Sequence, residues 1–396
     1  MNAEALELED AQARLLALVR PLPVEHVDVA DTRGRYLAAP LVALRTQPAA
    51  ALSAMDGYAV RAGAGPWSVV GESAAGHPYA GILAPAEAVR IATGAVLPAG
   101  ADAVIIQENC DRDGDVLTQT AGAAPVPGAH VRAAGIDFHQ GDELLAAGTL
   151  IGPAQIALAL AAGHKYLAVR RAPRIAVIET GDELAPPGTP ADLHHLPASN
   201  GAMIAAQFAA LPGHLAIIGP VGDTLEALAG ALVEAEGADL VVTSGGASVG
   251  DHDLLQPALA AWGAEAVFWR VAIRPGKPLL VATRGAQIII GLPGNPVSSY
   301  VTALLFALPV GRALLGATSP LPETLSAKLA APLAAGGPRR EFVRAVYRGG
   351  TVTAQSQQNS GTLLALAKSN ALIDRAAHAP AATAGSEVRV YLIQNG

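Results

Sequence analysis

The sequence predicts a multidomain α/β plus β protein, in which a parallel-sheet α/β domain with helices on both faces stands between β-rich segments. From Arg174 onward, short β-branched runs alternate with helix-length segments, the rhythm of βαβ units. Ahead of them, glycine and proline break residues 47–139 into short apolar runs, as in a small mostly-β domain. Beyond Pro320 short β-like runs return at 341–347 and 387–393. A chain of 396 residues also exceeds what one core serves, which implies roughly two to four domains.

The elements follow in order. Residues 1–20 read as an amphipathic helix with Leu8, Leu15, Leu16 and Val19 near one face. Segments 24–29 and 35–43 read as strands around a turn, and 67–70, 89–91 and 104–107 as strands of the small domain. A helix over 153–162 has Pro near its start and Gly163 just past its end. Strand 175–178 leads to a helix capped by Ser199 and running to Leu211, then to strand 215–218. Asp223 caps the next helix, with Glu226 completing a capping box. Strand 240–242, helix 253–262, strands 266–273 and 288–290, and a long helix from Pro296 to about Leu315 complete the unit.

Composition removes several function classes. The 34 carboxylates exceed the 26 Lys and Arg, for a net charge of -8, so nonspecific nucleic-acid binding gets little support. A locally basic pocket for an anion remains compatible with that balance. Cys110 is the only cysteine, which excludes an intrachain disulfide and a multi-cysteine metal site. The N-terminus lacks the basic start and apolar core of a secretory signal. The apolar stretch 300–315 is interrupted by Pro309 and Arg312 and is too short to span a bilayer. A soluble cytoplasmic protein without membrane partners is expected. There is no P-loop, no G-x-G-x-x-G, no G-x-S-x-G and no H-E-x-x-H.

Four segments at the ends of predicted strands carry chemistry. Asp182 and Glu183 can hold Mg²⁺ with hard carboxylate oxygens, or form an ordinary surface turn. In 244–253, Gly245 and Gly246 permit positive φ and close backbone approach, Ser244 and Ser248 add hydroxyls, and Asp251 and Asp253 can bind a metal or position the next helix. Arg274 and Lys277 flank a Pro-Gly turn, as anion binders or as solvated charges, and Arg270 lies just upstream. In 291–298, two prolines and two glycines make a rigid turn into a helix N-terminus, whose free N–H groups suit an anion. Such turns gather in the crevice where open α/β sheets bind ligands.

Taken in order, six motifs resemble the molybdopterin molybdenumtransferase family (MoeA, and the E domain of gephyrin) over nearly the whole chain. They are S-A-M-D-G-Y-A-V from Ser53, T-G-A-x-x-P-x-G-A-D-A-V from Thr93, T-G-D-E-L from Thr180, S-G-G-x-S-V-G-D-x-D from Ser244, R-P-G-K-P from Arg274 and G-L-P-G-N-P-V-S from Gly291. The resemblance implies four parts: a composite linker domain (1–46 and 140–169), a small mostly-β domain (47–139), a molybdopterin-binding α/β domain (170–318) and a C-terminal β-barrel (319–396). It implies a homodimer that inserts molybdate into adenylylated molybdopterin, releases AMP and uses Mg²⁺. Molybdopterin adenylyltransferase and molybdoenzyme acceptors are further implied partners.

Carried over position by position, the resemblance assigns Asp56, Thr93, Glu183, Asp223, Asp253 and Lys277 to catalysis, with Glu183, Asp253 and Asp56 at the metal. Ser244, Gly245, Gly246, Ser248, Gly250, Pro293, Gly294, Asn295 and Pro296 would hold molybdopterin and its phosphate. Arg270, Arg274, Lys277, Ser298, Arg344 and Ser360 would bind molybdate. The family commonly carries Lys where this chain has Arg270 and Arg274, which keeps the charge but changes its shape. An adenylyltransferase-like enzyme, a noncatalytic scaffold of the same fold and a preference for tungstate are the alternatives.

Overall fold

Helix α1 (Leu8–Leu18) buries Leu8, Ala11, Gln12 and Leu15, one face at helical spacing. The computed structural model describes residues 5–189, 193–246 and 254–393. Strands Val24–Asp28 and Tyr166–Arg170 then pair antiparallel, although almost the whole N-terminal half separates them in sequence. Helix α2 (Pro153–Ala161) closes this unit over a core of Val29, Leu37, Leu41, Ile151, Leu167 and Val169. The strand expected over 35–43 shrinks to Leu41–Val42, because Pro40 removes a ladder donor just before it.

Inserted between these halves is a six-stranded sheet, in the order Ala103–Ile106, Gly57–Val60, Glu87–Ile91, Trp67–Ser73, Val116–Gln119, Cys110–Asp113. Trp67, Tyr58, Val60 and Leu117 fill its core.

The α/β domain is built from β1 (Arg174–Thr180), α3 (Asn200–Phe208), β2 (His214–Val221), α4 (Leu225–Glu234), β3 (Leu240–Ser244), α5 (Leu255–Ala261), β4 (Glu265–Trp269), β5 (Ile273–Arg274), β6 (Leu280–Arg284) and β7 (Gln287–Leu292). The sheet runs β2-β1-β3-β7-β6-β4. Its first four strands are parallel. Their residues alternate between two cores, as a sheet covered on both faces requires. Ile175, Val177, Leu240, Val242, Ile288 and Ile290 face one side, while Ala176, Ile178, Val241 and Ile289 face α4 and α5. The far edge is antiparallel, because Gly285 (φ +61°) turns β6 directly into β7 without a crossover helix.

Two capping expectations change. Thr224, not Asp223, caps α4 by accepting the Ala227 N–H (3.1 Å), which frees Asp223 for another partner. The strand expected over 266–273 ends at Trp269, where Arg270 takes φ +103° and directs β5 out of this sheet.

Helix α6 (Pro296–Thr302), a π-helical turn (Ala303–Ala307) and α7 (Leu308–Leu314) form one long stretch. Pro309 has no N–H to return to the carbonyl of Leu305, and the buried Gln12 side chain of α1 donates to that carbonyl instead (2.9 Å). At 19 residues the stretch has the length and apolarity to cross a membrane, contrary to the expectation from 300–315, but 89% of an 18-residue span within it is buried inside the fold.

Strands β8 (Thr324–Leu329), β9 (Arg340–Arg348), β10 (Thr351–Ala354), β11 (Ala371–Arg375) and β12 (Glu387–Leu392) close a five-stranded barrel, since β9 pairs with both β10 and β11. The two-residue β5 adds to this barrel, pairing Ile273 with Arg340 and Arg274 with Glu341. Beside that seam Arg340 makes two bonds of 2.6 Å to the fully buried Asp374 and a third to Glu9 of α1. Breaking a buried pair from one side strands the other charge. Asp374→Ala should therefore destabilise the chain by about 3 kcal/mol, read as a lower midpoint in chemical denaturation. An unchanged midpoint would show that the network is dispensable.

Candidate functional site

The carboxyl ends of β1, β2, β3 and β7 lie side by side, which brings the sequence-predicted turns together. After β1, Asp182 Oδ1 accepts the Asp223 N–H (2.9 Å) and Asp223 Oδ2 accepts the Asp182 N–H (3.3 Å). That reciprocal pair links the β1 and β2 turns and places Asp223 beside Asp182 and Glu183. Glu183 is exposed, and its carboxylate folds back over Gly181, where a Cβ would meet Oε2 at 2.6 Å.

Gly245 (φ +103°) and Gly246 (φ +67°) follow β3. A Cβ on Gly245 would lie 2.3 Å from the Thr180 carbonyl, so only glycine fits between the turns. Gly294 packs on the Gly245 backbone. Ser244 is buried and its hydroxyl points into the protein, toward Asn200 and Ser299. Asn295 occupies the cap of α6 without a side-chain bond, Pro293 is buried and Pro296 opens the helix. Ser248, Gly250, Asp251 and Asp253 lie outside the described residues.

Sequence reasoning missed Glu179 and Asn200. Glu179 is only 4% exposed and accepts the N–H groups of Ser199 (3.0 Å), Asn200 (2.9 Å) and Gly201 (2.8 Å). A carboxylate thus caps α3 from a neighbouring strand, and Ser199, the expected cap, makes no side-chain capping bond. The signal visible in sequence, Ser199-Asn200 ahead of an apolar helix, locates the helix start but not the group that caps it.

A second cluster forms where the α/β domain meets the barrel. A cavity of about 190 Å³ is lined by Arg274, Pro275, Val297, Glu341, Arg344 and Gln358, among others. Arg344 is 1% exposed. Its guanidinium donates to the Gln357 carbonyl (2.9 Å), to the Thr362 carbonyl (3.3 Å) and hydroxyl (3.2 Å) and to Gln358 Oε1 (3.5 Å). None of these acceptors is a carboxylate, and burial pulls its pKa down. Arg274 is exposed and pairs with Glu341 (3.0 Å). The Val297 N–H donates to the Ser360 carbonyl (3.1 Å), which brings Ser360 beside Ser298 at the start of α6. Ser298 is buried. Arg270 and Lys277 sit on the same 269–278 segment but do not line the cavity. Arg270 stacks over Trp269 at 5.5 Å, and Lys277 is exposed.

A larger cavity of about 600 Å³, between α3, α7 and the barrel, contains none of the predicted site residues. Its lining is largely aliphatic, so the smaller, cationic cleft fits the anion chemistry better.

Asp56 and Thr93 stay apart from both clusters, on the small β domain. Asp56 Oδ1 accepts the Thr93 N–H at 2.6 Å. That bond, with the Thr93 hydroxyl and the nearby Arg90 charge, holds the Asp56 carboxyl below its ordinary range. Gly57 beside it admits no side chain, since a Cβ would sit 1.9 Å from the Ile105 carbonyl. Among the described residues no three His, Cys, Asp or Glu side chains converge on one point.

Comparison with known proteins covers the chain almost end to end. Residues 6–163 match the model of the MoeA N-terminal region (domain I and II), 176–313 that of a probable molybdopterin binding domain, and 326–393 that of the MoeA C-terminal region (domain IV). Molybdopterin molybdenumtransferase 2 of Mycobacterium tuberculosis is 34% identical, over 96% of this chain and 96% of its own length. Molybdopterin molybdenumtransferase of Haemophilus influenzae is 33% identical, over 93% of this chain and 94% of its own. The crystal structure of a molybdopterin biosynthesis MoeA protein from Pyrococcus horikosii superposes with a TM-score of 0.82 at 28% identity, covering 98% of this chain and 99% of that one.

Because the Asp56 pKa is depressed, protonating it takes a lower pH than for a free aspartate. Thr93→Ala keeps the backbone donor and removes the hydroxyl, so the Asp56 pKa should rise towards, but not reach, its ordinary value. A carboxyl NMR titration checks this, and an unshifted Asp56 resonance would exclude the hydroxyl's contribution.

Proposed function

This chain belongs to the MoeA family of molybdopterin molybdenumtransferases, and we propose from its geometry how it performs that family's reaction. It is a transferase of molybdenum cofactor biosynthesis that inserts molybdenum into molybdopterin. In our reading the metal arrives as molybdate, the acceptor is adenylylated molybdopterin, and AMP leaves in a Mg²⁺-dependent step. The chain acts as a cytoplasmic homodimer.

The observation that carries the oxyanion half of this reading is Arg344, a buried guanidinium with no carboxylate partner among the described residues, on the wall of a cavity. A structural arginine at that depth is ordinarily neutralised by an acid. Here the missing negative charge is the ligand's. Molybdate is a tetrahedral dianion, and Arg344 with Arg274 would hold it by charge-assisted hydrogen bonds, Arg274 exchanging Glu341 for the ligand. Lys277 and Arg270 add positive charge along the same segment, and Ser298 and Ser360 supply polar groups beside it.

The molybdopterin half lies at the strand-end turns. Gly246 is partly exposed and Gly294 exposed, so N–H groups there can face a phosphate, while the buried Gly245 N–H is taken by the Leu292 carbonyl (3.3 Å) and anchors the turn. Mg²⁺ suits the donor chemistry, since it takes one or two carboxylates and completes its shell from water and substrate phosphate. Glu183 and Asp253, with Asp56, would hold it, and when bound it neutralises charge on the phosphoanhydride. Asp56 and Thr93 share no cluster with these turns within one chain, so a second copy would present them. Holding both reactants in one crevice supplies much of the remaining rate by proximity.

The direct test is incubation with adenylylated molybdopterin, Mg²⁺ and molybdate, following AMP release and molybdenum incorporation. Both should rise together, and molybdenum incorporation without AMP release would sink the adenylylated-substrate reading. Arg344→Met removes a charged hydrogen-bond donor, worth about 1.5–3 kcal/mol. It should therefore raise the KM for molybdate roughly 10- to 100-fold while leaving molybdopterin affinity within twofold. An unchanged KM would place the oxyanion elsewhere.

A further inference from the structure

The geometry assigns Asn200 as a positioning residue that sets the spacing between the two ligand turns, an assignment that deepens the molybdopterin reading above and rests on it. Asn200 is the first residue of α3 and is 8% exposed. Its side-chain amide divides its two hydrogens between separate turns. One goes to Ser244 Oγ at the end of β3 (3.0 Å) and the other to the Gly294 carbonyl beyond β7 (2.7 Å). Strands β3 and β7 are adjacent and in register to Ser244 and Leu292, where the ladder ends; beyond it the Gly245 N–H reaches the Leu292 carbonyl (3.3 Å) and Gly294 packs on the Gly245 backbone. Asn200 ties the two turns together at that contact. The Ser244 hydroxyl extends the link to Ser299 Oγ in α6 (3.3 Å), so α3, β3, β7 and α6 meet through one amide.

Asn200 is itself held. Glu179 accepts its N–H and those of the residues on either side, which fixes the first turn of α3 against the end of β1. The fit is tight, since a Cβ on Gly201 would lie 2.7 Å from Glu179 Oε2. The chain of contacts therefore runs from a buried carboxylate, through a helix N-terminus, to an amide that ties Ser244, just ahead of Gly245, to Gly294. Both turns must present backbone to the same ligand phosphate, and a displacement of about 1 Å in such a site can cost 10²-fold in rate. Only a two-donor side chain of this length serves both acceptors. Aspartate has the same shape and no donors, and it would set a carboxylate against the Gly294 carbonyl.

Asn200→Asp in the full-length chain separates positioning from mere packing. The expected result is at least a tenfold rise in Kd for molybdopterin, with the KM for molybdate within twofold of wild type. Amide hydrogen exchange should accelerate at least tenfold at Gly245, whose N–H is bonded to the Leu292 carbonyl (3.3 Å), while the β1 and β3 core amides keep their protection. Asn200→Ser, which is too short to reach either acceptor, gives a second reading should the aspartate variant not fold. Wild-type Kd together with wild-type exchange in a folded variant would overturn the assignment. The exchange measurement needs no turnover, so it distinguishes failure of the clamp from failure of the proposed reaction.

Discussion

Between Arg270 and Arg274 the chain leaves the α/β sheet and is gripped by two partners distant in sequence. Leu6 flanks it on one side, donating to the Arg270 carbonyl (3.2 Å) and accepting the Ala272 N–H (2.8 Å). The barrel flanks it on the other, with the Arg340 N–H on the Ala272 carbonyl (3.0 Å) and the Arg339 guanidinium on the Ile273 carbonyl (3.3 Å). A non-glycine residue at φ +103° is costly, and such a conformation persists only where surrounding bonds over-determine it. Here they do. The cationic wall of the cavity, Arg274 included, is therefore set by the docking of N-terminus, α/β domain and barrel on one another.

The same barrel strand then shows how one residue type serves two ends. Arg340 and Arg344 both lie buried on β9, four residues apart and so on the same face. Arg340 has Asp374 and Glu9, and these acids raise its pKa; Arg344 has carbonyls, a hydroxyl and an amide, and burial lowers its pKa. The first pair closes a structural junction. The second leaves a desolvated positive charge on the wall of a cavity, with no acid beside it among the described residues. The contrast lies in the partners, not in the arginines.

Much of the architecture was legible in sequence because it follows from short-range periodicity. The alternation at Ile175–Ile178 and Ile288–Ile290 reports a strand buried on both faces, whatever packs there. Pro153 and Gly163 bracket α2 because proline lacks a donor that the first helical turn does not need and glycine tolerates the φ of +98° that ends it. Where the reading slipped, a distant group had intervened. Ser199 is a sound cap by composition, but Glu179 reached the N–H groups first. Asp223 was a plausible cap until Asp182 engaged it. The antiparallel hairpin of β6 and β7 is not legible in sequence, because nothing in a β-branched run states the direction of its neighbour.

The candidate site divides along the same line. The glycines, the carboxylates after β1 and the Arg-Pro-Gly-Lys turn are local patterns, so the sequence by itself determined that glycine-rich and charged turns stand at the strand ends, and its motif order marked the family. Only the tertiary structure decided which of them share a cavity. It joined Arg344 and Ser360 of the barrel to Arg274 and Val297 of the α/β domain, and it gave Asn200 its two acceptors. Partner choice in a folded chain depends on burial and on which group comes within about 3 Å, and neither is a property of neighbours along the backbone.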